Sequence, residues 1–263
     1  MNRIQKGVIL AGGRGTRLKP QTEITNKHLL PIYTKHMGAV PMIWYPLNTL
    51  ISSGVEEILI VSSQEHCGHF IEFLGDGSRF KVSLSYRVQD HNNPNIPLGI
   101  ASALKLCEPF VCNENFAVIL GDNFFEESFP EIFESFYKEP YGCYLFLKQH
   151  LYPERFGVAQ IKENKIYSII EKPQKYVSNF VVTGLYLFTP DVFEIAKTLK
   201  PSRRNELEIT DINNYYASQG KAYFSILQGF WSDMGVVQSL LETTEWINNK
   251  KYVIFQGINV NEV

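Results

Sequence analysis

The spacing of apolar and polar residues predicts alternating strands and helices over the first 150 positions. Short, unbroken apolar runs such as GVILA at 7–11 suit buried parallel strands, whereas apolar residues spaced three and four apart indicate helices. This alternation predicts an α/β fold with an open, mainly parallel, twisted sheet and helices on both faces. The predicted strands are 7–11, 57–63, 82–89, 116–122 and 143–149, and the predicted helices are 41–54, 68–75, 99–107 and 129–138.

After residue 150 the pattern becomes richer in strands. The predicted elements are two strands joined across Glu163 and Asn164, strands at 180–188 and 222–228, and helices at 207–220 and 236–250. No Ser/Gly-rich linker, repeat or low-complexity tract separates the two parts. We therefore predict a single Rossmann-like domain over 1–263, with approximate halves 1–150 and 151–263, the second half smaller and β-rich.

Composition narrows the class of protein. The chain has 263 residues, of which 44% are hydrophobic and 20% charged, and no apolar run approaches the ~18 residues of a membrane helix. The N-terminus lacks the apolar region and cleavage site of a secretory leader. Four cysteines form no C-x-x-C pair, so we expect reduced thiols and a cytoplasmic protein. The net charge of −2 predicts neither a nucleic-acid nor a membrane partner, and leaves a homo-oligomer open.

Positive charge is concentrated at the N-terminal end. Residues 1–35 carry seven cations and one acid, and the loop after the first predicted strand, GGRGTRLK at 12–19, holds three of the cations among three glycines. Glycines let backbone N–H groups approach an anion, and Arg14, Arg17 and Lys19 supply charge-assisted hydrogen bonds. The loop lacks the third glycine of G-x-G-x-x-G and the Lys-Ser/Thr ending of a P-loop. We expect it to bind a polyphosphate of another kind.

Further motifs occur in a fixed order along the chain. The motifs are GVILAGGRGTRLKPQT at 7–22, TNKHLLPI at 25–32, YRVQD at 86–90, LGDN at 120–123, PERFGV at 153–158, EKP at 171–173, VTGLY at 182–186, ELEITDIN at 206–213 and WSDMG at 231–235. From roughly residue 6 to 245, the chain resembles the sugar-1-phosphate nucleotidyltransferases, and among them the short-form glucose-1-phosphate thymidylyltransferases. The combination of PERFGV with ELEITDIN is the most specific part of this resemblance.

The resemblance implies a reaction and a division of labour. The family joins a nucleoside triphosphate, here most closely dTTP, to a sugar 1-phosphate, here glucose 1-phosphate, and releases pyrophosphate. The product is an NDP-sugar for surface polysaccharide or deoxysugar biosynthesis. The half 1–150 then binds the nucleotide, and the half 151–263 binds the sugar phosphate and ends in a closing helix. The sugar phosphate is already largely ionised at neutral pH, because its second pKa is ~6, so no general base is required.

The resemblance assigns the nucleotide-binding residues. Arg17 is expected to stabilise charge on the pyrophosphate and the α-phosphate, and Lys27 to reach both phosphates. Gln89 resembles the glutamine that hydrogen-bonds the pyrimidine edge, and Gly99 a backbone position that lines the base. The remaining nucleotide-binding residues are expected in the loop itself: Leu10, Ala11, Gly12, Gly13, Gly15 and Thr16.

The resemblance also assigns a metal and the sugar-phosphate residues. Asp122 and Asp233 are expected to hold Mg²⁺, a hard ion that suits carboxylates and phosphate oxygens. Glu171 is expected to bind sugar hydroxyls, and Lys172 the sugar phosphate, as one of four catalytic residues with Arg17, Lys27 and Asp122. The rest of the expected acceptor wall is Asn123, Gly157, Val182, Thr183 and Gly184.

Some features leave alternatives open. His66, Cys67 and His69 resemble a zinc cluster but lack a fourth partner, and packing is the favoured interpretation. Extra residues near 36–41 and 90–98 depart from the family pattern; the second stretch, rich in Asn and Pro, predicts an irregular loop at the mouth of the nucleotide pocket. A UTP- or CTP-dependent pyrophosphorylase for another sugar phosphate therefore stays open. A non-catalytic nucleotide-sugar sensor on the same fold is the alternative from another class.

Overall fold

The computed structural model describes residues 3–90 and 97–256, and the chain divides into two compact units. The glycine-loop unit comprises Gln5–Asp90, Ile119–Ile132 and Gly229–Val263, and the β-rich unit comprises Met1–Ile4, His91–Val118 and Phe133–Gln228. Each unit is therefore assembled from segments that alternate along the chain. The two functional halves suggested by the sequence stay a prediction.

Strands and helices alternate through most of the described chain. The strands are β1 Lys6–Leu10, β2 Pro31–Thr34, β3 Gly38–Pro41, β4 Glu57–Ser63, β5 Ser83–Gln89, β6 Phe116–Leu120, β7 Phe124–Phe125, β8 Cys143–Gln149, β9 Gly157–Lys162, β10 Lys165–Glu171, β11 Phe180–Phe188, β12 Ala222–Ile226 and β13 Trp231–Ser232. The helices are α1 Trp44–Ser52, α2 Cys67–Leu74, α3 Ile100–Lys105, α4 Glu108–Val111, α5 Pro130–Tyr137, α6 Val192–Thr198, α7 Ile209–Ser218 and α8 Val237–Lys250.

The glycine-loop unit contains a parallel sheet. β1 pairs with β4, and β4 pairs with β5, both in parallel. Every residue of β1 is buried, which explains its continuous apolar sequence, since a parallel strand is covered on both faces. Helices α1 and α2 contact these strands. Because the carboxyl ends of parallel strands share one edge of a sheet, the loops after β1 and β5 leave the sheet on the same side.

The stretch near 36–41 forms a β-hairpin rather than the start of a helix. β2 and β3 are antiparallel partners, and α1 begins at Trp44, three residues later than predicted. The hairpin is held against α8, where Asn248 accepts a hydrogen bond from the Lys35 backbone N–H (2.7 Å) and donates one to the Tyr33 carbonyl (3.1 Å). Tyr33 and Lys35 therefore attach this hairpin to α8.

The β-rich unit is mostly antiparallel. β9 and β10 pair across Glu163 and Asn164, which both have left-handed backbone angles (φ 50° and 56°), as expected of a two-residue hairpin turn. β11 pairs antiparallel with β8, and β8 pairs in parallel with β12. Helix α7 covers β10, and the Asn214 side chain pairs with both the N–H and the carbonyl of Ile169 (2.7 and 2.8 Å).

These elements confirm the predicted fold class. The fold is α/β, with a large, mostly parallel sheet, accompanying helices and smaller antiparallel pairs. No helix among the described residues is long and apolar enough to cross a membrane. The predicted irregular loop at 90–98 falls mainly on residues 91–96, which lie outside the described residues, so its structure stays a prediction.

Candidate active site

Hydrogen bonds hold the residues at which the glycine loop leaves the sheet. The N–H of Ala11 donates to the Val61 carbonyl (2.7 Å), and its carbonyl accepts from Asn26 Nδ2 (3.1 Å). The Leu10 carbonyl accepts a hydrogen bond from the Gly121 N–H (2.9 Å). Backbone and buried side-chain partners thus fix the point where the loop begins.

The loop itself is open to solvent and stays close to Lys27. Gly13 is exposed, and a Cβ atom there would lie 3.0 Å from Lys27 Cε and 3.3 Å from Lys27 Nζ. Gly15 has a left-handed backbone (φ 64°), and its carbonyl accepts from Thr22 Oγ1 (2.7 Å). A short 3₁₀ turn, Thr16–Leu18, follows and places Arg17 at the surface. The exposed backbone and cations of this loop suit an anionic ligand.

Lys27 and Asp122 form a close ion pair. Lys27 Nζ lies 2.5 Å from Asp122 Oδ2, and their side chains are only 13% and 11% exposed. Asn123 Nδ2 donates to the other carboxylate oxygen (3.1 Å). Burial favours the neutral acid, but the Lys27 cation and these hydrogen bonds outweigh burial and lower the pKa of Asp122 below its ordinary value. Asp122 is therefore an ionised carboxylate at neutral pH.

A buried Asn26–His28 pair sets the position of Lys27. Asn26 caps the turn Lys27–Leu29 by accepting from the His28 backbone N–H (2.9 Å), and its Oδ1 also lies 2.7 Å from His28 Nδ1. The His28 ring borders Gly121, where a Cβ atom would come within 2.8 Å of it. Burial, followed by the Lys27 cation, lowers the pKa of His28 from 6.5 to about 3. The ring is neutral at physiological pH.

The neutral state of His28 predicts an acid-sensitive fold. Below pH 6.5 the unfolded chain takes up a proton that the folded chain excludes, so stability should fall as pH falls toward 3. We expect this residue alone to lower the free energy of unfolding by about 2 kcal/mol between pH 7 and pH 5. Urea denaturation at both pH values should show a smaller pH effect in His28→Gln, and no such reduction in the exposed control His69→Gln. An unchanged pH effect in His28→Gln would contradict this assignment.

Arg17 and Asp233 both lie close to Gly235. A Cβ atom on Gly235 would be 3.0 Å from Arg17 Nη2 and 3.2 Å from Asp233 Oδ2. The intervening Met234 is buried and has a left-handed backbone (φ 39°), with its N–H directed to Ser232 Oγ (3.3 Å). WSDMG is therefore a tight turn whose glycine leaves room for the Arg17 guanidinium.

The two aspartates fit the chemistry of Mg²⁺. Asp122 and Asp233 belong to the same unit, and both offer carboxylate oxygens, the ligand type that this ion prefers alongside water and phosphate. Among the described residues there is no group of three or more His, Cys, Asp or Glu side chains suited to a metal. Two carboxylates are nevertheless compatible with Mg²⁺, because it usually retains waters and takes further oxygens from its substrate.

Two other predicted residues of the glycine-loop unit are buried. Gln89 is the last residue of β5 and is buried. Asn123 is buried as well, and its Oδ1 accepts from Trp231 Nε1 (2.8 Å) while its Nδ2 binds Asp122. Asn123 thus links β13 to the Asp122 carboxylate within this unit. Its expected contact with sugar phosphate stays a prediction.

In the β-rich unit, Glu171 and Gly157 are neighbours. They are paired in the β9–β10 register, and Glu171 Oε2 accepts from Thr210 Oγ1 (2.6 Å). Lys172 follows with a left-handed backbone (φ 44°), and its N–H donates to the Phe156 carbonyl (2.9 Å). The resulting kink ends β10 and leaves the Lys172 side chain about half exposed (49%). The Lys172 side chain is therefore accessible to an anion.

Arg204 forms an ion pair with the predicted site residue Glu171, a contact that the sequence analysis missed. Its Nη2 lies 3.3 Å from Glu171 Oε1, 3.2 Å from Glu206 Oε2 and 2.7 Å from Glu208 Oε2. Arg204 thus links Glu171, the carboxylate expected to bind sugar hydroxyls, to the first residues of the ELEITDIN motif. The signal was the cation directly upstream of that acidic motif, SRRNELE at 202–208.

The same segment supports Gly99. Leu207 N–H donates to the Leu98 carbonyl (2.7 Å), and the Leu207 carbonyl accepts from Ala101 N–H (3.2 Å). Gly99 has φ 111°, and a Cβ atom would lie 2.4 Å from the Leu207 carbonyl oxygen, so only glycine fits there. Gly99 belongs to the β-rich unit, whereas most of the other predicted nucleotide residues belong to the glycine-loop unit.

The expected wall residues on β11 are buried. Val182, Thr183 and Gly184 are buried, and Thr183 Oγ1 donates to the Phe146 carbonyl (2.8 Å). The β8–β11 register shifts between Val182 and Tyr186, which marks an irregularity in the strand at this point. Such irregularities occur where a strand redirects its side chains.

The His66–Cys67–His69 cluster begins helix α2. The two imidazole rings are 5.7 Å apart, and the Cys67 thiol is buried, which raises its pKa. Among the described residues, these three side chains do not form a group suited to holding a metal ion. Packing is the role that these contacts support.

Comparisons with known proteins find relatives that match nearly the whole chain. The family model for nucleotidyl transferases matches residues 6–250. The glucose-1-phosphate thymidylyltransferase of Neisseria meningitidis serogroup A is 43% identical over 246 residues, covering 92% of this chain and 82% of that protein. The enzyme of the same name from Xanthomonas campestris pv. campestris is 39% identical over 260 residues, covering 97% and 84%.

Solved structures show that the fold is shared. A candidate glucose-1-phosphate thymidylyltransferase from Bacillus anthracis, crystallised with sucrose, has a TM-score of 0.86 and 43% identity, covering 95% of this chain and 98% of that one. A UDP-glucose pyrophosphorylase complexed with UDP-glucose has a TM-score of 0.77 and 26% identity, covering 94% and 99%.

Proposed function

Because the chain belongs to the nucleotidyl transferase family, we propose that it joins dTTP to glucose 1-phosphate and releases pyrophosphate. The observation that carries this proposal is the buried Lys27–Asp122 pair beside a solvent-open glycine loop. Such an arrangement combines N–H donors, a cation and an ionised carboxylate at one place. Nucleotidyl transfer needs these groups, since it is catalysed mainly by positioning and charge neutralisation.

On the nucleotide side, the glycine-loop unit holds the triphosphate. The N–H groups of Gly12, Gly13 and Gly15, with Thr16, bind its oxygens, and Arg17 neutralises charge that accumulates on the departing pyrophosphate. Gln89 hydrogen-bonds the pyrimidine edge. Asp122 and Asp233 would hold Mg²⁺, which when bound supplies a Lewis acid that neutralises phosphate charge.

On the acceptor side, the β-rich unit holds the sugar phosphate. Lys172 binds the phosphate dianion, and Glu171, fixed by Thr210 and Arg204, accepts hydrogen bonds from sugar hydroxyls. The phosphate oxygen attacks the α-phosphorus of the nucleotide, one P–O bond forms, and the bond to pyrophosphate breaks in line. No residue has to remove a proton, because the attacking oxygen is already ionised.

We predict that Lys172→Ala raises KM for the sugar phosphate about 10- to 100-fold and leaves kcat nearly unchanged. Lys172 binds a dianion present in both the ground state and the transition state, so its loss weakens both equally. Steady-state kinetics against the exposed control Lys175→Ala would measure this. A fall in kcat at unchanged KM would instead indicate that Lys172 neutralises charge that develops during the reaction.

The experiment that tests the proposal crosses four nucleoside triphosphates with a panel of sugar 1-phosphates and measures pyrophosphate release. We expect the highest kcat/KM for dTTP with glucose 1-phosphate. We also expect the enzyme to be cytoplasmic. Thymine differs from uracil by one methyl group, which limits discrimination to roughly 10–200-fold. A higher kcat/KM with UTP or CTP would support a pyrophosphorylase for another sugar, and binding without turnover would support a nucleotide-sugar sensor.

A further inference from the structure

Asp122 depends on an internal cation when no metal is bound. Its side chain is 11% exposed, with one oxygen facing Lys27 Nζ and the other Asn123 Nδ2. An ionised carboxylate at this depth is strongly unfavourable without an opposite charge. Lys27 supplies that charge, so the carboxylate expected to bind metal is already occupied.

The Lys27 side chain, rather than its backbone, is the part of this pair that we expect to move. Its backbone is held on both sides, because Asn26 caps the turn and the Lys27 carbonyl accepts from the Leu30 N–H (3.1 Å). Its four-carbon stem passes along Gly13, beside the loop proposed to bind triphosphate. A rotation about the side-chain bonds would therefore carry the ammonium from Asp122 toward a bound phosphate without moving the backbone.

We propose that Lys27 and the divalent cation compete for Asp122, and that the nucleotide resolves this competition by drawing the ammonium onto its phosphates. The proposal rests on the proposed function, because it assumes a triphosphate in the glycine loop. Free metal then binds the nucleotide-free protein weakly, since it must displace a buried lysine. Metal and nucleotide bind in a coupled manner, and Asp122 is never left buried without a cation.

The first test measures Mn²⁺ binding to the nucleotide-free chain by electron paramagnetic resonance. We expect Lys27→Met to bind Mn²⁺ about tenfold or more tightly than the wild type, because the competing cation is gone. The control Lys35→Met, which removes an exposed lysine at the hairpin tip, should leave Mn²⁺ affinity unchanged. Equal or weaker Mn²⁺ binding by a folded Lys27→Met variant would overturn the proposal.

The second test uses variants that have no carboxylate at position 122, so no buried carboxylate is left without a cation. It therefore tests the proposal even if Lys27→Met does not fold. It measures inorganic tripolyphosphate binding in the presence of EDTA by calorimetry. Asp122→Asn releases Lys27 and should bind tripolyphosphate about tenfold more tightly than the wild type. The double variant Lys27→Met/Asp122→Asn should lose that gain. If the double variant keeps it, the gain comes only from removing the Asp122 charge, and the proposal is wrong.

Neither test requires turnover. If the wild type released no pyrophosphate with any substrate pair, the proposed function would fail, yet Mn²⁺ and tripolyphosphate would still report the competition for Asp122. Conversely, if the wild type were active and Lys27→Met bound Mn²⁺ with unchanged affinity, the proposed function would stand. Only the proposed competition between Lys27 and the metal for Asp122 would be wrong.

Discussion

Asp122→Asn should lower kcat about 100- to 1,000-fold while the chain stays folded. The substitution keeps the shape of the side chain but removes a charged oxygen ligand, and losses of this size accompany removal of a single transition-state contact. Lys27, its partner, loses an ion pair but has a long stem with which to reach solvent. Steady-state kinetics over a range of Mg²⁺ concentrations, with circular dichroism to verify folding, would measure the effect.

Asp233→Asn should behave in the same way, since it carries the second proposed metal carboxylate. The matched control is Glu72→Gln, which converts an exposed acid on α2 of the same unit to its amide. We expect its kcat to stay within about twofold of the wild type, as is usual for surface substitutions. Wild-type turnover by Asp122→Asn or Asp233→Asn at saturating Mg²⁺ would remove that residue from the metal site.

Arg17→Ala should lower kcat about 100- to 1,000-fold with little change in KM for either substrate. Arginines that neutralise charge developing on a transferred or departing phosphate have effects of this order or larger. Arg17 is exposed and approaches Gly235 without a role in the core, so folding should be unaffected. The exposed Lys35→Ala is the charge-matched control. A large rise in KM at constant kcat would show that Arg17 binds the ground-state triphosphate instead.

Apolar periodicity was sufficient to predict the parallel part of the fold. β4 has the predicted bounds, and β1 is displaced by one residue, because buried parallel strands leave an uninterrupted apolar signal. The β2–β3 hairpin gave no such signal. It is short, and only Pro41, the last residue of its second strand, was included in the helix predicted at 41–54.

The sequence offered candidate site residues only where a residue type has a direct chemical role. Lys27 and Asp122 were assigned separately, from resemblance, and the structure shows them in contact. Asn26 was not recognised as a support, because its importance depends on burial and on a hydrogen bond to the distant Ala11 carbonyl. Such contacts depend on tertiary structure and leave no local sequence pattern.

The measurement that tests the account most directly uses purified protein with dTTP, glucose 1-phosphate and Mg²⁺. It follows pyrophosphate and the nucleotide-sugar product together. The account predicts equal amounts of both, no pyrophosphate when the sugar phosphate is omitted, and formation of both products about 100- to 1,000-fold more slowly when Asp122 is replaced by Asn. Pyrophosphate release that is independent of sugar phosphate, or binding of both substrates without any product, would contradict it.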